Sequence, residues 1–210
     1  MTTTRKTEKK IVHVVGGGTV NHVHAHLALS APAYGGTARK LEALCKRRFK
    51  SMDVKLHLTR MANSKSRIET NDDLLMLALD IVEDRRSKIV FWNPAVADFK
   101  GTVSNGPYKA PVPGWDGNMF EPLPTKFRLA SSKNGKPAEY TMKLKPDFKI
   151  VPLFRQGGLK REARKDIFLV AFKATANATP EEQYLAGLNM LKASSANLVL
   201  ANDVVTKNNM

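Results

Sequence analysis

The sequence predicts an α/β protein, a parallel sheet with helices on both faces. Three observations carry that prediction. Short apolar, β-branched runs recur along the chain, helical periodicity fills the gaps between them, and the runs end on polar or glycine-rich turns. A late Asn134-Gly135 pair adds a hairpin to the alternation.

Residues 10–15 (KIVHVV) read as a buried strand closed by Gly16-Gly17-Gly18, a turn that can bring backbone N–H groups close to a ligand. Over 37–50, Leu41, Leu44, Cys45 and Phe49 fall at helical spacing. Residues 53–58 (DVKLHL) alternate with period two, as a strand does. Asn71 or Asp72 then caps a helix, DDLLMLALDIVEDRR, acidic at its start and basic at its end as the macrodipole prefers. Residues 88–92 (KIVFW) are a buried strand. The stretch 94–125 holds six prolines and little periodicity, so it reads as a long loop. Residues 126–130 and 139–144 alternate on either side of Asn134-Gly135, which predicts a hairpin projecting as an arm. Pro146 opens a short helix to 154, residues 167–172 are a strand, Thr179 caps a helix over 180–192, and 197–201 (NLVLA) form the last strand. The organisation is a basic, flexible stretch at 1–10 followed by one domain over 11–210, with the arm at 126–145 inserted in it.

Composition narrows the function classes. Of 210 residues, 42% are hydrophobic and 25% charged, which is ordinary for a globular domain and argues against wholesale disorder. Cys45 is the single cysteine, so neither an intrachain disulfide nor a cysteine-rich zinc site can form, and a reduced, cytoplasmic setting is expected. No apolar run approaches the length of a membrane span, and IVHVVGGG is too short for a signal-peptide core. The outlier is a net charge of +15, which suits an anionic partner, nucleic acid or a phosphorylated small molecule, and equally a lysine-rich solvated surface. At 7% aromatics with no stacking cluster, a nucleic-acid-binding module ranks last.

In an open α/β sheet, ligands bind outside the carboxyl ends of the strands. Here those ends carry Gly16–Thr19, the 94–98 turn, the 172–175 turn, and Asn202-Asp203. Asp98 suits a sugar hydroxyl or a metal–phosphate there, and suits capping the following turn as well. His22, His24 and His26 (NHVHAH) alternate on an extended segment; they could ligate a metal or simply line a polar cleft, and no metal site is assigned to them. The arm carries Lys126, Arg128, Lys133, Lys136, Lys143 and Lys145, which suits a phosphate clamp and also an exposed strand guarded by lysine.

The order of these segments over 11–204 resembles the phosphopantothenate–cysteine ligase (phosphopantothenoylcysteine synthetase) family. AVADF at 95–99 is similar to its A-A-V-A-D-[FY], and LVLANDV at 198–204 to its I-V-A-N-D-V. KLKPDFKIV at 143–151 is similar to K-x-x-x-x-P-D-I-[LV], LVAFKAT at 169–175 to V-G-F-A-A-E-T, and GGGT at 16–19 stands where the family has G-G-T or G-P-T. The resemblance implies a Rossmann-like three-layer fold with an inserted β-hairpin arm, and a homodimer in which the arm reaches over the neighbouring site. It implies a ligase of coenzyme A biosynthesis: CTP or ATP, with Mg²⁺, activates the carboxylate of 4′-phosphopantothenate, and cysteine then forms the amide. It places Lys126 and Asp98 in the catalytic machinery. It places Gly16, Gly17, Gly18, Thr19, Ala95, Ala97, Asp98, Arg128, Pro146, Asp147, Phe172 and Asn202 around the nucleotide.

The chain also departs from the pattern. SAPAYGGTA at 30–38 replaces the family's S-x-N-x-S-S-G-x-M-G, whose asparagine helps process the acyl intermediate. K-x-K-K becomes Lys126-Phe127-Arg128-Leu129, and Met190 and Ser194 fall where two phosphate-facing lysines stand. These departures make a non-catalytic, nucleotide-binding descendant the alternative expectation.

Overall fold

The first apolar run becomes strand β1 (Ile11–Gly18), all eight residues of which are buried. It lies between β4 (Asp53–Leu58) and β5 (Ser87–Ala95), parallel to both. Burial on both faces explains why Ile11, Val12, Val14 and Val15 are all apolar rather than alternating with exposed polar residues. Strands β10 (Phe168–Thr175) and β11 (Leu198–Asp203) extend the sheet past β5, giving the order β11-β10-β5-β1-β4. This computed structural model describes residues 8–24, 26–104, 131–133, 135–137, 139–156 and 163–210.

Helix α1 (Gly36–Arg48) sets Ala38 and Cys45 against Val12 and Val14 on one face. On the other, α2 (Asn71–Glu83) packs Leu74, Ala78 and Ile81 against Val15, Val90, Trp92 and Leu169. Helix α3 (Pro180–Ser194) lies over β10 and β11 and, like α2, meets a 3-10 turn at Val151–Phe154. The result is the three-layer, Rossmann-like α/β fold. The chain leaves β1 for the edge strand β4 and then crosses back to β5, so its direction reverses between β1 and β5. In such sheets that reversal opens a crevice at the carboxyl ends.

Local chemistry fixes the helix ends. Thr179 caps α3 in a reciprocal box with Glu182, and Pro180 occupies the first turn, as expected. The cap of α2 is Thr70, boxed with Asp73, rather than Asn71 or Asp72. Asn71 is instead fully buried and its side chain serves the interior. Helix α2 also stops at Glu83, so Arg85 and Arg86 lie beyond it, and Asp84 accepts hydrogen bonds from the Arg86 backbone and guanidinium.

One hairpin is added to the expected elements, and two expectations are corrected. Residues 20–30 form an antiparallel hairpin, β2 (Val20–His24) with β3 (Leu27–Ser30), where polar residues hide the strand pattern. Strands β6 (Phe99–Ser104) and β9 (Thr141–Pro146) form an antiparallel pair, so part of the stretch expected to be a proline-rich loop is a strand, and the predicted strand at 139–144 pairs with it. Residues 126–130 lie outside the described residues; a two-residue ladder, β7 (Ser132–Lys133) with β8 (Lys136–Pro137), flanks the predicted turn, where Gly135 has φ +75. Finally, no helix opens at Pro146, which ends β9. Asp147 N–H donates to the Asp98 carbonyl at 2.8 Å, which ties the chain to the turn after β5, and the 3-10 turn begins only at Val151. The stretch after that turn is fastened by Arg155, whose guanidinium donates to the carbonyls of Ser195 and Ile167 and to Asn197 Oδ1.

Candidate functional site at the carboxyl edge of the sheet

A cavity of about 950 Å³ opens at the carboxyl ends of β1, β5 and β10. Its walls come from separate parts of the sequence: Gly17 near the end of β1, the 31–37 stretch entering α1, Ala95–Asp98 from the end of β5 onward, residues 148–152, the end of β10, and one face of α3. That volume lies in the range of sites for nucleotide-sized molecules. Gly17 has φ +104, a conformation that side chains rarely adopt, and lies against Thr59 and Ala62. Helix α1 enters the wall through Gly35, Gly36 and Thr37; no side chain caps its N-terminus and no acidic residue occupies its first turn. Its free N–H groups and the positive end of its dipole favour an anion.

Beneath the cavity runs a buried polar network. Thr19 Oγ1 donates to Asn71 Oδ1 at 2.6 Å and accepts from Ala97 N–H at 3.0 Å. Asn71 Nδ2 donates to the Ala97 carbonyl and to Asp147 Oδ2, each at 2.7 Å. Asn21 Nδ2 reaches Asp147 Oδ2 at 3.1 Å and the Phe99 carbonyl at 2.9 Å. Lys100 Nζ lies 3.3 Å from Asp147 Oδ1 and over the Phe148 ring. The effect is to fix the backbone of the Ala95–Asp98 turn from below, with each amide of the network paired.

At the mouth, Asp98 and Lys149 form an ion pair at 2.5 Å, with both side chains about two-thirds exposed. Farther along, Asn202 lines the cavity while its neighbour Asp203 turns inward. Asp203 accepts from the Ala178, Thr206, Val205 and Asn177 N–H groups and from the Thr175 hydroxyl. The donors at Ala178 and Thr206 above all hold its carboxyl far below the ordinary range. Asp203 therefore ties the turn after β10 to β11 and takes no part in the cavity surface. Trp92 lines the cavity from β5; it packs edge-on to Phe154 at 5.2 Å, and its indole N–H is buried without a partner among the described residues.

The structure gathers Gly17, Ala95, Ala97, Asp98, Phe172 and Asn202 around this one cavity. Other predicted nucleotide residues lie elsewhere. Gly16 and Gly18 face the protein: a Cβ at Gly16 would sit 2.4 Å from Ala38 Cβ, and one at Gly18 would sit 2.1 Å from the Ala31 carbonyl oxygen. Thr19 and Asp147 are buried members of the network below. Pro146 is exposed on β9, paired with Phe99. Lys126 and Arg128 lie outside the described residues. His22 and His24 lie on β2 and His26 on the turn that follows; His22 Nε2 is 3.9 Å from Glu69 Oε1. Among the described residues, no group of three His, Cys, Asp or Glu side chains is placed to hold a metal ion.

Lys149, Lys173 and Trp92 line the cavity without having been singled out as site residues from the sequence, although Lys173 falls in the 172–175 turn expected at the sheet edge; Met190, expected where the family has a phosphate-facing lysine, lines it too. Lys149 and Lys173 lie inside KLKPDFKIV and LVAFKAT, and the period-two alternation of β10 could have placed Lys173 on the same side as the buried Ala171.

The architecture defines a Rossmann-like α/β fold with a cavity at its carboxyl edge, and solved structures share the fold. The DNA/pantothenate metabolism flavoprotein from Streptococcus pneumoniae superimposes with a TM-score of 0.68 at 18% identity, covering 94% of this chain and 83% of that one. The C-terminal domain of the coenzyme A biosynthesis bifunctional protein CoaBC gives 0.56 at 14% identity, over 96% and 84%. A Cab2 mutant in complex with phosphopantothenate-cysteine gives 0.57 at 13% identity, over 95% and 74%. No protein-family model and no curated protein matches the chain in sequence. At these identities the likeness establishes the fold, which is the one the sequence resemblance implied.

Proposed function

We propose that the protein is a divergent phosphopantothenate–cysteine ligase-like enzyme, or a close functional relative acting on another carboxylate. The observation that supports this most is the convergence of the Gly17 turn, the Ala95–Asp98 turn and Asn202 on one cavity, in a fold shared with a structure that holds phosphopantothenate-cysteine. In this reading a substrate carboxylate oxygen attacks the α-phosphorus of CTP or ATP, forming an acyl-nucleotide and releasing pyrophosphate. Cysteine's amine then attacks the acyl carbon, the amide forms, and the nucleoside monophosphate leaves with the bonding pair. The contributions of this chain are positional and electrostatic. The buried network presents the Ala95–Asp98 backbone to the nucleotide, Asp98 accepts from a sugar hydroxyl, and the open N-terminus of α1 faces the phosphorylated substrate.

The described residues do not fit a resident Mg²⁺ site, since Asp98 is the one carboxylate on their cavity surface and is paired to Lys149. Mg²⁺ would arrive on the triphosphate as part of the co-substrate. The same reading carries a cytoplasmic homodimer in which Lys126 and Arg128 act from the arm. Incubation with phosphopantothenate, cysteine, Mg²⁺ and CTP or ATP tests it: pyrophosphate release supports the ligase, and no release with either nucleotide removes it.

One observation favours a second reading, a non-catalytic nucleotide binder. The α3 wall of the cavity presents Ala186, Met190, Ala193 and Ser194, with no cation among them. Saturable nucleotide binding without turnover, measured by calorimetry, would select this reading.

A further inference from the structure

Among the described residues, the cavity surface carries three charged side chains: Asp98, Lys149 and Lys173. The two lysines reach it from different elements. Lys149 comes from the segment that follows the arm, and its ammonium is held across the mouth by Asp98. Lys173 lies near the carboxyl end of β10, in register with Ala201, which packs beneath α3 at Gly187. Lys173 is half-buried and makes no ion pair with any described residue. A half-buried ammonium facing a cavity whose one described carboxylate, Asp98, is already paired to Lys149 is an unneutralised charge, and it lowers the free energy of an anion placed there.

We infer that Lys149 and Lys173 are the phosphate-binding cations of this cavity, and that Asp98 holds Lys149 in reserve until an anion displaces it. This deepens the nucleotide reading above and rests on it. Arrival of a phosphate exchanges one partner of Lys149 for another, so no bare ammonium has to be desolvated in the free protein. The exchange simultaneously releases the Asp98 carboxylate to accept from the ligand's own hydroxyl groups. Exposed ion pairs are held by little net energy, which suits a contact that must open. Asp98 and Lys149 are therefore competitors before binding and collaborators after it.

Calorimetry with inorganic pyrophosphate tests this without any ligase substrate. Lys149→Ala and Lys173→Ala should each weaken binding roughly ten-fold or more, the scale of one charge-assisted hydrogen bond. Asp98→Asn should tighten it by up to about five-fold, because Lys149 is then free and a repelling charge is gone. Asp98→Asn combined with Lys149→Ala should forfeit that gain. Lys46→Ala, a surface site on α1 paired to Glu42, should bind as the parent does. Thermal melts of each variant confirm folding. The inference is overturned by no binding to the parent protein, by unchanged affinity in both cavity lysine variants, by weaker binding in Asp98→Asn, or by equal loss in Lys46→Ala. Pyrophosphate binding in a protein that releases none from CTP or ATP would sink the ligase reading alone.

Discussion

The floor and the mouth of the cavity are both polar, yet they are built on opposite principles. The floor is dry: Thr19, Asn21, Asn71 and Asp147 are each less than a tenth exposed and satisfy one another and the backbone around Ala97. The mouth is wet: Asp98 and Lys149 share one contact, and each is about two-thirds in solvent. A buried polar group is costly unless paired, so the floor must be complete to exist at all. An exposed pair is nearly free to make or break. The floor accordingly sets geometry, and the mouth is where binding can be adjusted.

The largest test of that contrast is Asp147→Ala. It removes one acceptor from each of the Asn21 and Asn71 amides, which keep only their backbone carbonyls, and removes the buried partner of Lys100. We expect a loss of about 2–4 kcal/mol in urea unfolding, the scale for leaving buried donors without acceptors. A loss below about 0.5 kcal/mol, the size of an ordinary surface substitution, would show that the floor is not the dry framework described.

A second dry polar contact extends the comparison to pH. His13 Nδ1 meets His57 Nε2 at 3.1 Å, and His13 Nε2 meets Ser87 Oγ at 2.9 Å. Burial pushes His13 down to about 3, with His57 and Lys55 adding to the effect, and burial pushes His57 down to about 4, with Lys55 adding. Both values are depressed from 6.5, so the folded state keeps the rings neutral while the unfolded chain takes up protons. Their contribution is complete above pH 6.5 and is lost as the pH falls from there, through about 4 for His57 and about 3 for His13. The slope is at most about 1.4 kcal/mol per pH unit for each histidine. Urea midpoints measured across that window for the parent and for His57→Gln check this: the variant should show the shallower slope, and equal slopes would refute the assignment.

How much of this could be read from the sequence follows the same division. The strand at β1 was legible because burial on both faces leaves a continuous apolar signature. The Thr179 cap was legible because its partner Glu182 is three residues away. Strand β6 was not, since Gly101 interrupts its pattern and prolines surround it in the chain. The carboxyl-edge turns that form the cavity were legible as a set, through the rule for open α/β sheets and the motif order. The floor beneath them was not. Thr19 meets Asn71 across 52 residues and Asn21 meets Asp147 across 126, distances over which no local pattern signals a partner. Asn71 looked like a helix cap because, one residue from Thr70, either side chain satisfies the local rule; only the tertiary network decides between them.

Thr19→Val sharpens the link between floor and site. The substitution keeps the shape while removing the hydroxyl that donates to Asn71 and accepts from Ala97 N–H. The expected destabilisation is about 1–2 kcal/mol, since one buried N–H and one amide oxygen each lose a partner. Because Ala97 lies in the wall itself, nucleotide affinity by calorimetry should fall together with stability. A stability loss with unchanged affinity would separate the floor from the site.

The smallest effect is expected at the mouth. Removing either charge of an exposed pair trades a weak attraction for hydration and regained side-chain freedom, so Asp98→Asn and Lys149→Ala should each shift unfolding by no more than about 0.5 kcal/mol. The double variant should show a coupling below about 1 kcal/mol, and that coupling should shrink further at high salt, where exposed charges are screened. A coupling of several kcal/mol would mean that the pair is a structural clasp, buried in effect by its surroundings. The mouth would then belong with the floor, and a ligand anion would have to break a strong contact rather than replace a weak one. A small coupling beside a large cost for Asp147→Ala would instead separate the two polar layers, one holding the turn in place and the other left free to exchange partners.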